Sequence, residues 1–120
     1  MEKWKFTLRE KTMPVIPREE LLEILREVKE KLIKILGDDL VEVILFGSYA
    51  RGEAKEDSDV DVIVMVKRRL TLEEHDRLSE ITEEYVLEKG LVVSLIVYPV
   101  NPRMEDDPLI WNVNVEGVKV

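Results

Sequence analysis

Cysteine is absent from this 120-residue chain, so no disulfide framework holds it together. Glutamine is absent too and asparagine is scarce, while Glu and Lys abound, the direction in which hyperthermophile proteins drift. The one histidine, His75, stands among acids without metal-ligand spacing and reads as a helix-surface residue. No apolar run exceeds about strand length, which leaves neither a signal peptide nor a spanning helix and makes a cytoplasmic location the expectation. Base is outweighed by acid, 18 Lys and Arg against 26 Asp and Glu, for a formal net charge of -8 and a pI near 4.8. That balance is opposite to the footprint of free nucleic-acid binding. It leaves a nucleotide open as a ligand, because a triphosphate arrives with its own cations and needs only a small favourable niche.

What is present is a globular composition, 45% hydrophobic, with 37% charged residues against roughly 25% in an average soluble protein. The length suits one domain over residues 1–120. Trp4, Phe6 and Leu8 alternate with charged neighbours, so residues 1–16 form an arm or a short strand. Pro17 followed by Arg18, Glu19 and Glu20 opens a helix, with acids near its positive end. Its apolar stripe of Leu21, Leu25, Val28, Leu32, Ile35 and Leu36 ends at Gly37.

Leu40 to Phe46 is β-branched and mostly apolar and Val60 to Val66 almost uniformly so, as suits strands covered on both faces. Thr71-Leu72-Glu73-Glu74 is a capping box, opening a second helix whose stripe of Leu78, Ile81, Thr82 and Tyr85 runs to Gly90. Leu91 to Tyr98 reads as a third strand. Residues 99–120 read as a loop and tail, with a short helix over Leu109 to Glu116. The order helix, strand, strand, helix, strand predicts an α+β fold with a small mixed sheet. Lys67, Arg68 and Arg69 lie at the end of the second strand away from its acidic head and read as a solvated loop.

The chemistry concentrates in the segment from Phe46 to Val64. A strand ends in Gly47-Ser48, where glycine permits tight geometry and the start of a short helix offers N–H groups to phosphate oxygens. Arg51 reads either as a phosphate contact or as a solvated side chain of a charged turn, whereas Lys55 reads as solvated. Asp59 and Asp61, two apart at the head of a strand, project from one face about 7 Å apart. At an effective dielectric near 20 they repel by about 2 to 3 kcal/mol, a cost that a divalent cation reverses. Carboxylate oxygens completed by substrate phosphates are how Mg²⁺ is commonly held.

Gly47-Ser48, followed ten residues after Ser48 by Ser58-Asp59-Val60-Asp61, resembles the signature of the DNA polymerase beta-type nucleotidyltransferase superfamily, in its minimal nucleotidyltransferase (MNT) branch. Arg51-Gly52 and the Glu, Lys and Asp residues after it match that branch. The resemblance runs from Val41 to Tyr98, and Pro108 to Gly117 is similar to the end of archaeal members. It implies a polymerase beta-like fold with helices on one sheet face. It also implies transfer of AMP from ATP to a hydroxyl on a protein or other acceptor. Mg²⁺ or Mn²⁺ would sit at Asp59 and Asp61, and Gly47, Ser48 and Arg51 would hold the nucleotide. MNT proteins are often paired with helical HEPN proteins as antitoxin and toxin, which makes a HEPN protein the implied partner; a homodimer is a further option.

The chain departs from the family in one place. Active members bring a third carboxylate from a neighbouring strand, and Val92 to Tyr98 contains no acid, only Ser94. Serine is a poor base at neutral pH. The alternative that follows is an antitoxin acting by binding its HEPN toxin, with weak or no turnover.

Overall fold

The computed structural model describes residues 16–55, 58–100 and 117–120. Helix α1 spans Arg18–Leu36, a single 3-10 turn Gly37–Asp39, strand β1 Leu40–Phe46, helix α2 Gly47–Arg51, strand β2 Val60–Val66, helix α3 Leu72–Lys89, strand β3 Val93–Pro99 and strand β4 Val118–Lys119. The expected N-terminal arm, most of the C-terminal tail and the helix expected over Leu109 to Glu116 lie outside the described residues.

One mixed sheet organises these elements, in the order β3-β2-β1-β4. β1 and β2 are antiparallel, β2 and β3 parallel, and β4 runs antiparallel along β1. The parallel step follows from the helix between β2 and β3, which carries the chain back to the start of the sheet. Val43 and Leu45 of β1, the even-numbered valines of β2, and Val93, Leu95 and Val97 of β3 face the helices. There they meet Leu21, Leu25, Val28 and Leu32 of α1 and Leu78, Ile81 and Tyr85 of α3 in one core. The opposite face carries a smaller cluster of Ile44, Ile63 and Met65, with Phe46 and Tyr98 packed against it. Apolar residues on both faces are why β2 reads as an unbroken apolar run from Val62 to Val66. Both helices on one side of a mixed sheet is the α+β architecture expected from the order of elements.

β3 begins at Val93, two residues later than the apolar run suggests. Leu91 belongs to the helix layer of the core, and its N–H bonds Tyr85 O at 3.2 Å in closing α3. At the other end of the molecule, β4 is fixed by Val120 N–H on Val43 O at 2.9 Å and by Lys29 Nζ on Val120 O at 2.8 Å. Between the two helices, Tyr85 donates its hydroxyl to Glu27 Oε1 at 2.8 Å, and Lys31 lies 4.9 Å from the Tyr85 ring centre.

The capping box forms as read: Glu74 N–H donates to Thr71 Oγ1 at 3.1 Å, and Thr71 N–H to Glu74 Oε1 at 2.9 Å. Lys67, Arg68 and Arg69 are exposed, as expected of a solvated loop, but Arg68 is also ion-paired. Its guanidinium meets both Glu74 carboxylate oxygens at 2.8 Å and Asp39 Oδ2 at 2.8 Å, joining the entry to β1, the exit of β2 and the start of α3. A planar fork with several donors makes this bridge where a lysine would not. The Arg68 hydrogen bonds hold the Glu74 carboxyl down at about 2 from its ordinary 4.5.

A carboxyl lowered in the folded state stabilises the fold wherever it is ionised, and that contribution fades as protons compete for it. The Arg68–Glu74 pairing is therefore complete above about pH 4.5 and disappears on acidification toward about pH 2. Arg68→Ala is expected to lower the melting temperature at neutral pH. Melting curves recorded on both proteins down the pH scale should converge at the acid end; a constant gap at every pH would remove the ion pair as the cause.

Candidate functional site

The turn from β1 to β2 decides where the polar residues go. β1 ends at Phe46, whose register partner on β2 is Asp61, so the end of one strand lies beside the head of the next. Between them Gly47 begins the five-residue helix α2, at φ 77°, a backbone region that L side chains rarely adopt. A Cβ placed on Gly47 would overlap Asp61 Oδ2 and lie 3.2 Å from Asp61 Cγ. Glycine is required twice here, by its own dihedral angle and by the carboxylate standing against it.

Helix α2 is held from behind. Tyr49 is buried in the helix-side core, and Gly52 closes the turn with its N–H on the carbonyls of Ser48 and Tyr49. Glu53 N–H also reaches Ser48 O, at 2.9 Å. No side-chain cap bond closes the start of α2, so its first N–H groups are not consumed by a capping residue. Arg51 ends the helix, with its Nε 3.6 Å from Glu53 Oε2. Ser58, inside the recognised motif, locks the return loop: Lys55 N–H donates to Ser58 Oγ at 2.8 Å and Ser58 N–H to Lys55 O at 3.0 Å.

Asp59 is exposed and stands one residue ahead of β2, while Asp61 is half-buried within it. Burial raises the Asp61 carboxyl above its ordinary range, the negative charge of Asp59 adds to the rise, and Arg51 works against both. Asp59 and Asp61 together present carboxylate oxygens at the head of one strand. Their oxygen donors fit a hard divalent ion, though no group of three or more acids, histidines or cysteines able to hold a metal occurs among the described residues.

Register settles where the acid-free strand lies. Ser94 is the β3 partner of Asp61, and in-register neighbours on adjacent strands project from the same face. Asp61 is therefore flanked by Phe46 on β1 and by Ser94 on β3, all on the sheet face opposite the helices. The structure brings Gly47, Arg51, Asp59 and Asp61 into one neighbourhood and leaves Lys67, Arg68, Arg69 and His75 out of it. What reading along the chain missed is the lodging of Asp61 against Gly47; the close approach allowed by glycine was the signal, but its target was not.

The sequence profile of the family described as "Nucleotidyltransferase domain" matches residues 21–116. The chain belongs to that family. Among individual relatives of this nucleotidyltransferase, a provisionally named protein adenylyltransferase of Methanocaldococcus jannaschii is 46% identical over 79 residues, 66% of this chain and 80% of that one. Protein adenylyltransferase MntA of Thermococcus cleftensis is 39% identical over 85 residues, 71% of this chain and 81% of its own. Both source genera are thermophilic, in line with the composition. Among solved structures, a toxin-antitoxin crystallised with AMP-PNP aligns with a TM-score of 0.51 at 20% identity, over 78% of this chain and 69% of that one. At that identity the likeness concerns the fold alone, and the fold is that of a nucleotidyltransferase domain.

Two substitutions separate the constraints on the site. Gly47→Ala is expected to cost at least about 1 kcal/mol from the positive φ alone, with the displacement of Asp61 in addition. Chemical denaturation checks the first part. Asp61→Asn acts in the opposite direction: a carboxyl raised in the folded state opposes folding once pH climbs past its unfolded value, and below that the penalty is gone. In chelator at neutral pH the Asn variant is expected to melt a few degrees above the wild type, the gap closing as pH falls below the ordinary carboxylate range. A lower melting temperature at neutral pH would show that the carboxylate is satisfied without a ligand.

Proposed function

We propose that this nucleotidyltransferase transfers AMP from ATP to a hydroxyl on a protein, and that the protein is a HEPN-type partner. The observation that carries the reading is the meeting of Gly47-Ser48, the start of α2 and the Asp59/Asp61 pair across the β1–β2 turn. The protein adenylyltransferase names of relatives up to 46% identical support AMP as the group and protein as the acceptor.

In this reading Gly47 and Ser48 hold the triphosphate with the free N–H groups of α2, and Arg51 lends positive charge beside them. Asp59 and Asp61 would hold Mg²⁺ or Mn²⁺. When bound, the ion supplies charge neutralisation at the phosphates and at the attacking oxygen. The rigid parts of the site do the positioning: β2 fixes Asp61, the Lys55–Ser58 bonds fix the loop that delivers Asp59, and Tyr49 anchors α2. The acceptor oxygen forms a bond to the α-phosphorus as the bond to the bridging oxygen breaks. Pyrophosphate leaves with the electron pair, and the hydroxyl proton passes to solvent.

Ser94 beside Asp61 favours a second reading, in which the chain restrains its partner mainly by binding it. One experiment separates the two. The protein is incubated with α-labelled ATP, Mg²⁺ and a purified HEPN-family partner, alongside Asp59→Asn/Asp61→Asn. Label on the partner, reduced at least about a hundredfold in the double variant, is the expected result, since losing charge stabilisation at a transferring phosphoryl group costs on that scale. Tight partner binding with no label, unchanged by the double substitution, would replace the enzyme with a binding module.

A further inference from the structure

Asp61 has two flanks, and they are chemically unlike. On the β1 side stand Phe46 and the Gly47-Ser48 turn; on the β3 side stands Ser94. A displacement at phosphorus places the attacking and leaving oxygens roughly in line on opposite sides of the transferred group. If the phosphates occupy the β1 flank, the acceptor hydroxyl has to arrive over β3. Ser94 leaves that approach without a charged side chain.

The surface beyond Ser94 is unusual for this protein. Ser94, Ile96 and Tyr98 share one face of β3, and Val100 extends the pairing with its N–H on Val66 O at 2.7 Å. Ile96 is 42% exposed and Val100 37% exposed, with Tyr98 partly exposed between them. No charged residue occurs from Leu91 to Val100, in a chain that is 37% charged. Spaced at about 3.3 Å per residue, positions 94 to 100 make a stripe about 20 Å long that starts at the reacting centre. β3 is also an edge of the sheet, so nothing on its far side interrupts the stripe among the described strands.

We propose that Ser94, Ile96 and Val100 form the acceptor-docking stripe, and that its occupant is a segment of the modified protein with apolar side chains beside its hydroxyl. The charge balance argues for this occupant. A segment held by opposite charge would be basic and would need acids along β3, and β3 has none although the chain as a whole carries -8. The residues available to hold it offer apolar contact, which favours a partner surface of the same kind. The inference rests on the reading of the site as a protein-modifying transferase and names how that acceptor is gripped.

The test uses the full chain, purified HEPN-family protein as the probe, and two charge insertions. Ile96→Glu breaks the stripe, and Leu87→Glu places the same charge on α3, where the wild-type side chain is 84% exposed. Each variant is measured for AMP-PNP binding with Mg²⁺ by calorimetry, for partner affinity, for label transfer and for melting temperature. Ile96→Glu is expected to weaken partner affinity and raise the acceptor KM by roughly tenfold or more, with AMP-PNP affinity and melting temperature held. Leu87→Glu is expected to match the wild type throughout. Ile96→Ala, which keeps the strand uncharged, should fall between the two. Wild-type partner affinity in Ile96→Glu, or its loss in Leu87→Glu instead, would overturn the docking stripe while leaving the transferase reading intact. A wild-type protein that binds AMP-PNP but neither binds nor labels the partner would overturn that reading, and the stripe with it.

Discussion

The contact on which the rest of the site depends is the Asp61 carboxylate lodged against the backbone of Gly47. It joins the first residue of α2 to the head of β2, across the pairing of Phe46 with Asp61. Without a glycine at 47 the carboxylate would be displaced from the turn. Without Asp61 the turn would be an ordinary β-to-α junction with an unused helix start. Antiparallel pairing of β1 and β2 makes the meeting unavoidable, since the residues where one strand ends and the next begins share a rung.

Stability is organised around that demand. The unfavourable part of the molecule, two acids side by side with one raised by burial, sits at one end of the sheet. At the other end Arg68 ties Asp39 and Glu74 together, so two chain reversals are held by one guanidinium. The helix layer, with no charged side chain among its buried residues, supplies the bulk of the core. Such a division, with binding groups kept at a cost and packing elsewhere making it good, is common at functional sites.

Much of this was legible in the chain. The stripe of α1, the capping box of α3, and the mostly apolar runs of β1 and β2 each have a local cause, and each formed where its cause lies. The site pattern was legible because Gly-Ser and Asp-x-Asp hold fixed positions at strand ends, where alternation alone dictates which way a side chain points. What local pattern could not supply was register. That Ser94 stands beside Asp61, and that Arg68 reaches back to Asp39, are contacts across 33 and 29 residues of chain, set by how the strands align and not by any residue's neighbours. The start of β3 was misplaced for the same reason: Leu91 is apolar whether it serves a strand or a helix layer.

The double demand on Gly47 also bears on how such a site could be lost over descent. A lineage that no longer needed the acid could replace Asp61 in one step, because its small neighbour accommodates any shorter side chain. Position 47 could not follow as easily, since its backbone sits at φ 77°, where L side chains are rarely found. Decay of this centre would therefore run in a fixed order, the acid first and the glycine late, and an orphaned glycine at the end of β1 would be its fossil.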